Sequence, residues 1–149
     1  MLGRGGAGKT TAAKQLGRLL QVPAFELDEM FWCTDLAPTP PQRWASLQFE
    51  LAVSDRWVMD GDLGPYDVLE PRLARADTVV VLDFGLVRCL WRAARRSWER
   101  LDFWWWVITW RRRARPWLFV AVATSAPQAD LHIVSTPREL QRLLRGAGT

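Results

Sequence analysis

Eight residues near the start of the chain, Gly3-Arg4-Gly5-Gly6-Ala7-Gly8-Lys9-Thr10, fit the pattern G-x-x-x-x-G-K-[ST] in full. Glycines let the backbone bend so that successive N–H groups turn inward on anionic oxygens. A helix must follow, because its N-terminal dipole favours the same anion. The lysine reaches the outer phosphates of a nucleotide, and the hydroxyl can ligate Mg2+. Lys9–Leu20 supplies the helix, with Ala12, Ala13, Leu16, Leu19 and Leu20 on one side. A plain glycine turn before a helix is the bland alternative, and it does not account for the strand–helix alternation that follows. Gly3, Gly5, Gly6, Ala7, Gly8, Lys9, Thr10 and Thr11 are therefore the expected residues for holding a nucleotide with its Mg2+. Such a loop normally follows a buried strand of about five residues. Only Met1 and Leu2 precede Gly3, so the first strand is expected to be truncated, through a misassigned start or as a stub.

Downstream, Pro23–Leu27, Arg56–Asp60, Thr78–Asp83 and Leu131–Val134 have the short apolar character of strands. Helices are expected from Thr39 to about Val53, over Pro65–Ala76 and over Arg88–Arg100. Two further helical pieces should cover 102–114 and 116–125, separated at Pro116, and a terminal helix opens at Pro137. Thr39 and Thr136 are each followed three residues later by Gln42 and Glu139, the spacing of a capping box. Strand–helix alternation implies an α/β fold with a parallel sheet covered on both faces. No linker interrupts it, so 1–149 reads as one domain, with a helical region rich in arginine and tryptophan at about 86–125.

Charge is uneven. Residues 1–75 carry eight basic and ten acidic side chains, and residues 76–149 carry twelve and six. Nine arginines fall within 85–115 against Glu99 and Asp102, which calls for an anionic partner: nucleotide phosphate or, as a second reading, nucleic acid. No apolar run reaches the ~18 residues of a membrane span, and no membrane partner is expected. Cys33 and Cys89 lack metal-ligand spacing and are expected to be reduced, in a cytoplasm. Ten tryptophans are more than one small core needs. Trp104, Trp105, Trp106 and Trp110 cannot all face inward, so a homodimer contact through the tryptophan-rich helices is possible.

Asp60 and Asp83 each end a strand, where an aspartate points at the binding crevice. Either can serve the Mg2+ shell; the alternative is a strand-ending turn residue. Asp28 follows a strand and can orient an acceptor hydroxyl, or equally act as a turn acid. Asp62, Tyr66 and Asp67 follow closely and read as structural. Arg88, Arg92, Arg95 and Arg96 form a helical stripe suited to neutralising a phosphoryl group in transfer, or a solvated helix face. His132, the single histidine, reads as structural.

With these residues placed, the chain resembles the adenylate-kinase-like P-loop family, specifically its small bacterial DNA topology modulation (FlaR-like) members. The likeness rests on the phosphate loop, Leu27-Asp28-Glu29-Met30-Phe31-Trp32, Trp57-Val58-Met59-Asp60-Gly61, Arg75 through Phe84, and Ser135-Thr136-Pro137-Arg138-Glu139. The resemblance implies a three-layer fold with strand order 2-3-1-4-5 and transfer of the ATP γ-phosphate to a small acceptor. It puts Lys9, Thr10 and Asp60 at the metal–phosphate centre and Thr136 beside the adenine. It makes arginines of 88–96 and 111–115, Arg88 and Arg92 among them, lid-type residues. Gly5 stands where many adenylate kinases have proline, and residues 28–54 are short for an AMP-binding insert, so AMP is not the implied acceptor. A non-enzymatic nucleotide or nucleic-acid binder, and a degenerate kinase relative, are the rival readings.

Overall fold

The computed structural model describes residues 1–32, 37–96 and 101–148, with only the backbone described at 65, 96, 101 and 102. Cys33 and the end of the helix expected to reach Arg100 lie outside the described residues. Thr78–Leu82 (β4) is apolar at every position after the first, which demands cover on both faces. That cover is present. Val79 and Val81 face a cluster with Leu118, Val122 and Ala126, and Val80 and Leu82 face one with Ala7, Ala12 and Val134.

Leu2–Gly3 (β1) pairs in parallel with β4, and β4 pairs in parallel with Asp130–Val134 (β5), in the order β1-β4-β5. Ala24–Glu26 (β2) and Val58–Asp60 (β3) form a second parallel pair, Glu26 opposite Asp60. Met1 touches both sets. Its nitrogen donates to the Met59 carbonyl, and its carbonyl accepts from Gly61 N–H at 3.3 Å. These are the two bonds a parallel partner of Asp60 makes.

Lys9–Leu20 (α1) and Pro137–Ala147 (α7) pack on one another and on one sheet face, while Leu101–Ser125 (α6) and Glu70–Leu73 (α4) lie on the other. Leu27–Phe31 (α2) and Pro41–Ala52 (α3) enclose Met59 with Leu27, Phe31 and Trp44. Leu86–Arg96 (α5) precedes α6. Among the described residues no helix is long and apolar enough to cross a membrane.

Four local expectations need correction. The break at Pro116 is absent: α6 runs on for 25 residues with Pro116 inside it. Proline costs such a helix one hydrogen bond, and Leu118, Val122 and Ala126 beyond it are held by the core. The helix expected over Pro65–Ala76 shrinks to a 3-10 turn at Gly64–Tyr66 and the four residues of α4. Asp67 is drawn inward instead, accepting from Leu63 N–H and pairing with buried Arg72 at 2.8 Å. Thr39 does not cap α3; its hydroxyl donates to the Phe31 carbonyl, and Pro40 occupies the cap position. Leu27 opens α2 rather than ending β2. At the other capping box, Thr136 accepts from Glu139 N–H and the Glu139 carboxylate accepts from Ser135 N–H at 2.8 Å.

Candidate phosphate site

The loop between β1 and α1 follows its glycines. Gly6 and Gly8 have φ of 76° and 89°, in the left-handed region that glycine enters without penalty. Gly8 is also the N-cap of α1 and offers no side chain there. A β-carbon on Gly6 would stand on the Cys89 carbonyl oxygen, and one on Gly8 would lie 2.9 Å from the Arg92 guanidinium. At Gly5 it would meet the Phe103 and Trp106 rings at 2.8 and 2.9 Å. The loop is thus enclosed by α5 and the first turns of α6. Ala7 is buried and Thr11 exposed.

Lys9 is buried and its ammonium donates to the Arg4 carbonyl across the loop at 3.3 Å. Its neighbour Thr10 donates its hydroxyl to Asp60 Oδ2 at 2.6 Å. The other Asp60 oxygen, Oδ1, is buried and has no hydrogen-bond partner. A buried, unpaired carboxylate oxygen is costly unless a cation or donor completes it. Among the described residues no group of three His, Cys, Asp or Glu could hold a metal. Mg2+ takes one or two protein oxygens and fills its shell with water and substrate phosphate. Thr10 and Asp60 Oδ1 fit such an ion.

Asp28, on the first turn of α2, comes to the same place because β2 and β3 end side by side. A β-carbon on Gly61 would lie 3.0 Å from Asp28 Oδ1. Asp28 is exposed, yet the protein around it withdraws enough water to push the carboxyl pKa above its ordinary value. Lys9 opposes that shift, and Asp60 and Asp62 add to it. A carboxyl poised this way is able to accept a proton from an acceptor hydroxyl.

Of the arginine stripe, Arg92 reaches the loop beside Gly8. Arg88 is exposed and sits over the Phe84 ring at 5.8 Å, and Arg95 over Trp91 at 4.6 Å. The Arg96 side chain lies outside the described residues. Asp83 is fully engaged: Arg111 Nε donates to one oxygen at 2.8 Å and Arg115 Nε to the other at 2.9 Å. It ties α6 to the end of β4. Thr136 is spent on capping α7. His132 is exposed on β5, not enclosed. Cys89 is buried, which pushes its thiol pKa up.

Three more residues form the base of the loop: Arg4, which the sequence reading passed over, Asp62, which it read as structural, and Trp110, for which it named no partner. Arg4 is buried beneath the loop, donating to the Phe84 carbonyl at 3.2 Å and facing the Trp110 ring; burial lowers its pKa. Asp62 accepts from Gly3 N–H at 3.3 Å, from Trp110 Nε1 at 3.1 Å and from Gly64 N–H at 3.1 Å. Trp110 thereby links α6 to the base of the loop. The four-residue spacing of Trp106 and Trp110 was the available signal, since it puts both on one helix face. No protein-family model matches the chain, and no curated protein matches it.

Proposed function

We propose that the chain binds ATP with Mg2+ at Gly3–Thr10 and transfers the γ-phosphoryl group to a small acceptor, as a P-loop kinase. The observation that carries this reading is the Thr10–Asp60 hydrogen bond of 2.6 Å beside the buried Lys9 ammonium, with Asp60 Oδ1 left unpaired. A buried ammonium whose carbonyl acceptor is Arg4, at the N-terminus of α1 after a glycine-rich loop, suits a polyphosphate. When bound, Mg2+ would neutralise charge on the phosphates, and Thr10 and Asp60 would hold it. Arg92, beside Gly8, offsets negative charge on the transferring group. Asp28 orients the acceptor hydroxyl and takes its proton. The Met1 bonds to β3 support a continuous sheet of order 2-3-1-4-5 with the loop at its centre, and they count against a loop left without support.

The test is calorimetric titration with ATP and Mg2+, followed by a transfer screen over small hydroxyl and phosphate compounds. Lys9→Ala removes a charge-assisted hydrogen bond worth about 1.5–3 kcal/mol, so ATP should bind roughly 10- to 150-fold more weakly. Asp60→Asn should retain metal-free ATP binding and lose the gain that Mg2+ confers. Full phosphoryl transfer by the Lys9→Ala variant would sink the mechanism. Binding of ATP with no transfer to any acceptor favours a non-catalytic nucleotide binder.

A further inference from the structure

The solvent face of α6 is not composed like an ordinary solvated helix. Trp105, Ile108, Trp117 and Val120 are 59%, 48%, 46% and 62% exposed. Arg112 and Arg113 lie among them, exposed, and make no ion pair among the described residues. At 100° per residue the six occupy about half the helix circumference and extend about 22 Å along its axis. From Phe103 to Ser125 the helix has no acidic residue. The pairing of Arg111 and Arg115 with Asp83 leaves Arg112 and Arg113 as the outward cations.

A face that is apolar and cationic, without acid, calls for an anionic partner that also accepts alkyl and indole groups. A second copy of the same face would bring like charges together across a two-fold contact, so self-association is disfavoured. Single-stranded nucleic acid is held in positively charged grooves with stacked aromatics. This face is instead the convex side of one helix, and it includes aliphatic Ile108 and Val120. We propose that α6 docks side-on to an anionic lipid bilayer, with its tryptophans and aliphatic side chains at the headgroup boundary and Arg112 and Arg113 on lipid phosphate. The proposal does not depend on the nucleotide reading.

The experiment is co-sedimentation of the full chain with vesicles of phosphatidylcholine alone or with about 30% phosphatidylserine. Binding to the anionic vesicles is expected, falling as salt rises, with a blue shift of tryptophan emission. Arg112→Gln with Arg113→Gln removes two surface cations, each worth about a factor of five, so binding should weaken about thirty-fold. Trp105→Ser with Trp117→Ser should abolish the blue shift and weaken binding to both vesicle types. Four results overturn the proposal: no sedimentation with anionic vesicles at low salt; equal binding by the arginine variant; a concentration-dependent dimer lost in the tryptophan variant; or single-stranded DNA binding, with no vesicle binding, that the arginine variant loses.

Discussion

Asp62 is the most informative residue to remove, because one buried carboxylate serves three donors from three elements. Gly3 N–H and Trp110 Nε1–H share Oδ2, and Gly64 N–H takes Oδ1. Replacing it with alanine strands three donors, at about 1–3 kcal/mol each when nothing relaxes. The carboxylate's own desolvation, which raises its pKa, is recovered and offsets part of that cost. A net loss of about 3–5 kcal/mol follows, a large share of the ~5–15 kcal/mol available to a domain, and a fall of roughly 10–15 °C in Tm at this size. Asp62→Asn retains one carbonyl oxygen with two lone pairs for Gly3 and Trp110 and presents an N–H2 to Gly64, so it should lose only about 1–2 kcal/mol. Urea unfolding followed by tryptophan fluorescence measures both. The pH dependence has a definite sign. The folded carboxyl keeps its proton above the unfolded pKa, so its contribution is greatest at acid pH and is lost as pH rises through the raised folded pKa. Asp28 acts in the same sense, and Asp62→Asn should remove only part of the slope. An Asp62→Ala variant within 1 kcal/mol of the parent, or equal to Asp62→Asn, refutes the three-donor account.

Three other outcomes are expected. Gly6→Ala combines a positive φ with a β-carbon on the Cys89 carbonyl; the conformation alone costs about 1–2 kcal/mol, and ATP binding should be lost by calorimetry while circular dichroism keeps its α/β character. Arg72→Met leaves Asp67 charged and buried without its 2.8 Å partner, so stability should fall by about 3–5 kcal/mol in urea; a loss below 1 kcal/mol counts against the pair. Burial lowers the Met1 ammonium pKa to about 5. For a chain that starts at Met1, the unfolded form therefore holds more protons there between pH 5 and 8, and stability should rise with pH; one residue added upstream turns the ammonium into an amide, and a slope that persists afterwards rejects the assignment.

The loop, its helix and the strand-end placement of Asp28, Asp60 and Asp83 were legible because each is a local pattern. Glycine spacing sets the backbone, and a strand-ending aspartate points at the crevice whatever surrounds it. The partners of those residues were not legible. That Asp83 is engaged on both oxygens rests on Arg111 and Arg115, which lie 28 and 32 residues beyond it and reach it only through the tertiary placement of α6. Asp62 read as structural, but its tie to Trp110 was not legible for the same reason, since Trp110 is 48 residues away. Pro116 misled in the opposite direction: a local rule broke the helix where tertiary packing of Leu118 and Val122 holds it together. Helix-stripe logic grouped Arg88 with Arg92, but Arg92 lies beside Gly8 while Arg88 sits over the Phe84 ring.

The continuity of α6 has a consequence for how this protein can change. One rod carries Phe103 and Trp106 against the glycines of the loop at one end, and Leu118 and Val122 in the core of the sheet at the other. Cover and foundation therefore cannot drift apart in sequence. A substitution that loosens the far end, to gain tolerance or solubility, also re-aims the rings over Gly5. A substitution that widens the loop for a larger ligand tugs on the core, and insertions should be tolerated on the α7 side of the sheet long before they are tolerated in this helix.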